Sequence, residues 1–260
     1  MDDSQNLRSQ EALTLAADAA ALLLASGAET SRAQETAEIL FRAFGTGELQ
    51  AYVLTNGVIA VPLEHSLPGG VRNVPNSSVN LTRVAAVNEL SRQIAAGGLT
   101  LDEAEAQLAR AQRIPFPNDR VQLAAGLSGA FCFAMIFGGT LRAGLAAAVA
   151  GLAASSYLLL CERLNLPGGF RKITTASLIT LVCLPLCHLL GTEASHAIIG
   201  TLMILTPGIA FTMGIRDFVQ GDYLSGTIRM IDALLVAACI AIGTGFVLLC
   251  YSLLTGVNIA

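Results

Sequence analysis

The sequence predicts an α+β soluble N-terminal domain over residues 1–117, followed by an α-helical membrane domain of five transmembrane helices over residues 118–260. Three observations support this fold class. Residues 1–120 hold 23 of the 34 Asp, Glu, Lys and Arg residues, so charge is concentrated in the first part of the chain. The whole chain is 13% charged and 53% hydrophobic, whereas soluble domains are about 25% charged. Short helix and strand patterns come first, and long apolar runs follow them.

Composition narrows the classes of function. The net charge of −4 provides no basic patch, so we expect no nucleic-acid partner. The N-terminus, MDDSQNLRSQ, lacks the basic-then-apolar order of a signal peptide, which predicts a cytoplasmic first domain. All six Cys lie in the second half, in or beside apolar runs, where packing as small hydrophobic residues is favoured over disulfide formation.

The first domain is predicted to contain four helices. Gly27 is placed to end the first of them in a left-handed cap. Ser31 with Gln34, and Thr100 with Glu103, have the spacing of capping boxes at the starts of the second and fourth. The helical segments are 10–26, 31–44, 80–96 and 100–113.

Three strand-like runs lie between the second and third helices, at 49–55, 58–63 and about 70–75. Asn56-Gly57 separates the first two and is a strong hairpin signal, so we expect a short antiparallel sheet. The domain shows no metal-ligand spacing, phosphate-binding Gly loop or nucleophile elbow. The sequence therefore predicts neither an enzyme nor a bound cofactor or metal.

Five apolar runs, each near the length that spans a bilayer as a helix, fill the second domain: 121–137, 143–160, 173–190, 197–215 and 231–254. Basic residues in the short loops predict the orientation of these helices in the membrane. The loop after the second run and the loop after the fourth are basic and are expected in the cytoplasm, which leaves the C-terminus outward. Arg142, after the first run, disagrees with this assignment. The cytoplasmic basic residues are Arg163, Arg171, Lys172, Arg216 and Arg229.

A break in the fourth run is the first candidate for a functional segment. Pro207 removes a backbone donor and frees a carbonyl one turn earlier, and Gly208 adds backbone freedom after Thr206. Exposed backbone at membrane depth is tolerated only against protein or a water-filled cavity. A kink satisfied by a neighbouring helix explains the same residues, and both interpretations stay open.

Charged residues that follow this break are the other candidates for substrate binding or coupling. Asp232 lies three residues after Arg229, so the two side chains are able to pair on one helix face. The positive-inside rule alone also explains the basic residues, and Asp222 has a second explanation as the start of the last helix. The candidates are Arg216, Asp217, Asp222, Arg229 and Asp232.

Two residues of the segment GAETSR, Glu29 and Arg32, are possible functional residues of the first domain. Glu29 near a helix start also suits the helix dipole, which explains it structurally. In the second domain, Cys183 and Cys187 share a helix face and His188 follows them, but no carboxylate or further His joins this group. Core packing is therefore the favoured explanation, and no metal site is predicted.

Several of these stretches carry a resemblance to a known family. They are SGAETSRAQET (26–36), the hairpin around Asn56-Gly57, NLTRVAAVNELSRQI (80–94) and LTPGIAFTMGIRDFVQGDYLSGTIRMIDALLVAACIAIG (205–243). The chain resembles the threonine/serine exporter family, specifically the two-component type whose longer subunit carries the soluble domain. The last stretch is the most specific, and the resemblance covers nearly the whole chain.

This resemblance implies a subunit that exports small amino acids or carboxylates, threonine and serine or succinate, across the inner membrane. It also implies a smaller membrane subunit as partner, an oligomer and contact with lipid. The chain has no nucleotide-binding loop, so proton motive force is the expected driving force. Two alternatives remain open at this point: a membrane-anchored hydrolase, and a regulatory subunit whose partner holds the transport path.

Overall fold

The computed structural model describes residues 3–45, 47–63, 67–74 and 78–256. These residues form ten helices and one sheet of three short strands. The predicted fold class, an α+β domain followed by five transmembrane helices, is therefore wrong. The chain divides into two compact units, and the first combines residues 1–116 with residues 213–229. The domain boundary at residue 117 and the cytoplasmic location of the first domain both stay predictions.

The first unit is built on two N-terminal helices that pack against the sheet. Helix α1 spans Asp3–Ala25 and helix α2 spans Thr30–Phe44. Leu15 and Leu23 of α1 and Leu40 and Phe41 of α2 are almost fully buried in one apolar core. Burial of such side chains stabilises a fold by about 1.5–3 kcal/mol each. The sheet and helices α3 (Leu81–Ala95) and α4 (Leu101–Gln112) complete this core.

The antiparallel hairpin is present, one residue away from its predicted turn. Strands β1 (Leu49–Leu54) and β2 (Gly57–Pro62) pair with Leu54 opposite Gly57, so Thr55 and Asn56 form the loop. Strand β3 (Gly70–Asn73) pairs with β2, and Pro75, the predicted end of the third strand, lies outside the described residues. Alternate residues of β1 are buried, as expected for a sheet with one face on the core.

Local capping signals were partly correct. Gly27 has a φ of +82°, the left-handed conformation predicted for it. Thr100 and Glu103 form the predicted capping box at the start of α4. The Ser31–Gln34 capping box is wrong: α2 begins one residue earlier, at Thr30, and its N-cap is Glu29 without a side-chain cap bond. The Glu29 side chain contacts Arg216 instead.

The second unit comprises residues 117–212 and 230–260. Its helices pack through small residues, since a Cβ on Gly126 would collide with Ser155, and one on Gly151 would lie 2.6 Å from the Cβ of Ala130. Such contacts allow helix backbones to approach closely in lipid. The helices, two of which extend into the first unit, are α5 (Asp119–Ile136), α6 (Leu141–Arg163), α7 (Gly168–Leu190), α8 (Ala194–Leu202), α9 (Gly208–Val219) and α10 (Tyr223–Thr255).

Within the described residues, three helices rather than five are long and apolar enough to cross a membrane: α6, α7 and α10. Helix α5 begins with Asp119, Arg120 and Gln122, which shortens its apolar part. The fourth predicted span is two short helices, α8 of nine residues and α9 of twelve, because the chain breaks at Pro207. Neither reaches the roughly 20 residues that a spanning helix needs. Helix α10 is longer than predicted, with 33 residues.

Candidate functional site

The turn between α9 and α10 positions the charged residues of the first unit. Gly221 ends α9 with a φ of +86°, and the backbone N–H of Asp222 donates to the carbonyl of Asp217 at 2.9 Å. This is the hydrogen-bond pattern of a glycine-terminated helix, in which the chain reverses direction. The two helices then approach closely, because a Cβ on Gly226 would lie 2.9 Å from Phe218 and 3.0 Å from the carbonyl oxygen of Gly214.

Asp217 and Arg229 form a buried ion pair across this helical hairpin. The guanidinium Nε of Arg229 lies 3.0 Å from Oδ2 of Asp217. The Asp217 side chain is 1% exposed and that of Arg229 is 15% exposed. The pair is close but not aligned as a hydrogen bond, and neither oxygen of Asp217 accepts a hydrogen bond from any described residue. The two charges attract each other without satisfying the carboxylate.

The environment of Asp217 disfavours its charged form. Burial raises the pKa of the Asp217 carboxyl, and the negative charges of Asp222 and Glu29 raise it further. The positive charges of Arg229 and, less strongly, Arg216 oppose this rise. Burial of a carboxylate is costly unless hydrogen bonds and a counter-charge compensate for it, and here only the counter-charge is present.

The remaining contacts of Arg229 are weak for a guanidinium. Its Nη1 donates to the thioether sulfur of Met213 at 3.2 Å, and its Nη2 donates to the carbonyl of Ala28 at 3.4 Å. A thioether is a poor acceptor, and strong charge-assisted bonds to oxygen are about 2.7–2.9 Å long. Arg229 is therefore a nearly buried cation whose two terminal nitrogens are held by acceptors that a carboxylate would readily replace.

Two further contacts join the segment 213–229 to the N-terminus of α2. Arg216 donates to Oε1 of Glu29 at 2.5 Å, with the Arg216 side chain about half exposed. The hydroxyl of Thr30 donates to Oδ2 of Asp222 at 3.2 Å. Asp222 also accepts from the backbone N–H of Ser225 at 3.1 Å, so it caps α10 as the sequence suggested. We refer to Glu29, Arg216, Asp217, Asp222 and Arg229 as the charged cluster.

A cavity of about 540 Å³ lies beside the charged cluster, within the first unit. Of the residues that line it, Asp222 is the one with a charge, and its two oxygens are occupied by Thr30 and Ser225. Most of the other lining side chains are small or polar. The lining residues are Thr30, Ser31, Gln34, Tyr52, Val53, Gln220, Gly221, Asp222, Tyr223 and Leu224.

The structure brings five of the sequence candidates together within the first unit. Arg32 turns away, to Asn88 at 3.1 Å and Glu35 at 2.9 Å. Asp232 is exposed, and Arg229 pairs with Asp217 rather than with Asp232. Thr206, Pro207 and Gly208 belong to the second unit, where the hydroxyl of Thr206 donates to the carbonyl of Leu202. A functional role for any of these residues stays a prediction.

Sequence reasoning did not identify Thr30, Met213 or Ser225 as part of the site. The hydroxyl of Ser225 is buried with no hydrogen-bond partner among the described residues. Ser225 follows Asp222 by three residues at a helix start, and this spacing was the available signal. Among the described residues, no three His, Cys, Asp or Glu side chains come together as metal ligands.

Comparison with known proteins gives this geometry a family. The family described as "Putative threonine/serine exporter" matches residues 14–251. Over 242 residues the chain is 26% identical to a probable threonine/serine exporter of Mycobacterium tuberculosis, an alignment that covers 92% of this chain and 46% of that protein. The chain thus spans about half the length of this curated relative. No solved structure matches the chain significantly. The resemblance noted in the sequence is confirmed for the family, while the two-component type stays a prediction: the chain belongs to the threonine/serine exporter family.

Proposed function

We propose that the chain is a subunit of an inner-membrane secondary exporter of small amino acids or carboxylates, threonine and serine or succinate, driven by proton motive force. The family match and the name of the mycobacterial relative support export of threonine and serine. Three long apolar helices support a location in the membrane. The resemblance to two-component exporters supports a smaller membrane subunit as partner.

One observation of the geometry carries this proposal. The buried pair of Asp217 and Arg229 lies where α9 meets the first turns of α10, a helix long enough to cross a membrane. Ionisable residues at such positions are costly, and in transporters they bind charged substrates or carry protons. Arg229 offers a guanidinium to a substrate carboxylate, and Asp217 offers a carboxylate to a cation or a proton.

The proposal also includes an orientation. We place the first unit, which contains the basic residues Arg216 and Arg229, in the cytoplasm, following the positive-inside rule. The charged cluster then faces the compartment from which an exporter collects its substrate. Labelling of a single cysteine introduced at the exposed position of Asp102 in α4, in intact cells and in lysed cells, tests this orientation. Labelling in intact cells by an impermeant reagent would place α4 outside and contradict it.

The experiment that tests the function measures intracellular threonine, serine and succinate in a strain that lacks the gene. Deletion is expected to raise the intracellular level of the exported compound, and the wild-type gene should restore it. Arg229→Gln should fail to restore it, whereas Asp102→Asn, which changes an exposed carboxylate of α4, should succeed. Unchanged levels of all three compounds after deletion would contradict the proposal.

A further inference from the structure

We propose that Asp217 is a shared site at which a proton and the ammonium group of an amino-acid substrate compete, with Arg229 binding the carboxylate of the same substrate. This inference rests on the proposed export function and deepens it. It assigns a residue to proton coupling, and it favours a zwitterionic amino acid over a dicarboxylate as the substrate that couples. Three properties of the site, taken in turn, lead to it.

The first property is the unsatisfied carboxylate of Asp217. Its side chain is 1% exposed, and neither oxygen accepts a hydrogen bond from the described residues. A buried acceptor without a donor loses the hydrogen bonds that water would provide. A proton of its own removes the charge of such a group, and among hydrogen-bond donors an N–H group with positive charge satisfies it most strongly. A primary ammonium group supplies this donor, with three N–H bonds on a compact charge.

The second property is the competition of charges around Asp217. Arg229 faces it from α10, Asp222 from the turn before α10 and Glu29 from the start of α2, and Arg216 lies on its own helix. Burial and the two carboxylates raise the pKa of Asp217, so that proton binding lies closer to neutral pH than for an exposed aspartate. A site that carries a proton in a transport cycle needs this property.

The third property is the weak attachment of Arg229. Its Nη1 and Nη2 contact a thioether and a carbonyl at 3.2 Å and 3.4 Å, so both nitrogens are available for a bidentate carboxylate. The nearest oxygen of Asp217 is 3.0 Å from Nε on the other side of the guanidinium. Neighbouring acidic and basic groups of this kind match the two charges of an amino acid. A dicarboxylate has no ammonium group and would meet the negative charges of Asp217, Asp222 and Glu29.

The charges balance in the proposed exchange. When the substrate binds, its ammonium group takes the place of the proton on Asp217, and that proton leaves to water. When the substrate leaves on the other side, Asp217 takes up a proton there and carries it inward. Because proton and substrate exclude each other, an inward proton gradient drives the substrate outward. Symport would instead require both to occupy the site together, which a single carboxylate in this geometry does not accommodate.

The test uses the full chain purified in detergent, with any membrane subunit that co-purifies, and calorimetric titration with threonine between pH 5.5 and 8. The affinity of the wild type should fall as the pH is lowered, approaching about tenfold per pH unit below the pKa of Asp217. Titrations in weak buffer should detect proton release on binding. Asp217→Asn should bind threonine more weakly and with little pH dependence, while Asp102→Asn should match the wild type.

The outcomes separate this inference from the proposed function. Wild type that binds threonine with pH-independent affinity and without proton release would overturn the inference and leave the export function standing. An Asp217→Asn variant that keeps the pH dependence of the wild type would also overturn it. Wild type that binds none of threonine, serine and succinate at any pH would contradict the proposed function itself. Proton release is measured on the wild type, so the test survives a variant that fails to fold.

Discussion

Replacing Arg229 with glutamine should expose the energetic cost of the buried carboxylate. At 3.0 Å and an effective dielectric constant of about 20, the attraction between Arg229 and Asp217 is about 5 kcal/mol. In the Arg229→Gln variant this attraction is lost, and Asp217 avoids part of the loss by taking up a proton. For an ordinary aspartate, protonation at pH 7 costs about 4 kcal/mol, because its pKa is about three units lower. The raised pKa of Asp217 makes the cost smaller. We expect Arg229→Gln to lower the free energy of unfolding by about 2–4 kcal/mol at pH 7.

The assay is reversible unfolding of the detergent-solubilised full chain at pH 5 and pH 7. The loss should be smaller at pH 5, where protonation of Asp217 requires less free energy. The matched control is Arg163→Gln, because Arg163 forms an exposed pair with Asp119 at 2.5 Å. Exposed pairs contribute about 0–1 kcal/mol. If Arg229→Gln costs no more than Arg163→Gln, or costs the same at both pH values, the buried-charge reasoning is refuted.

Three further predictions test other parts of the molecule. Burial raises the pKa of Asp217 in the folded protein, so proton binding to this residue stabilises the fold. This stabilisation is complete at a pH below the usual aspartate pKa of 3.8, and it is lost as the pH rises through the raised pKa of the folded state. Asp217→Asn should remove this component from the pH dependence of unfolding. Gly126→Ala should lower the free energy of unfolding by about 1–3 kcal/mol, because the added Cβ meets Ser155. Gly129→Ala on the same helix adds a Cβ in open space and should be neutral or stabilising. Thermal unfolding of the two variants tests this difference. Thr100→Ala should cost about 1 kcal/mol in chemical denaturation, because it removes the cap of α4.

The parts of the fold that depend only on residues close together in the sequence were predictable. The hairpin, the left-handed Gly27 and the capping box of Thr100 and Glu103 follow from turn and cap chemistry over a few residues. The Ser31–Gln34 box failed because α2 begins one residue earlier, at Thr30, and the residue before it, Glu29, contacts the distant Arg216. A contact between residues 187 positions apart in the chain has no local signal.

The same limit explains the errors in the predicted membrane spans and in the predicted ion pair. Hydropathy averages across Pro207 and Gly208, so two helices of nine and twelve residues were interpreted as one span. Helical spacing placed Arg229 next to Asp232, three residues away on one face. The chain reversal at Gly221 returns Asp217 to Arg229 instead, and this contact requires the close approach at Gly226. The functional role of the charged residues stays a prediction, and their pairing depends on packing that the sequence does not display.

The buried charges of this site are unfavourable for folding, and this is an argument that the site has another role. A buried ion pair contributes little to folding even when its hydrogen bonds are complete, and apolar residues of similar size often do better. Here the bonds are incomplete, and Gly221 and Gly226 hold α9 and α10 in the arrangement that keeps them so. An unsatisfied buried carboxylate lowers stability, and the apolar core of the first unit does not include it. The proposed binding of a charged substrate and release of a proton would use this carboxylate, so we propose transport rather than folding as the explanation of the charged cluster.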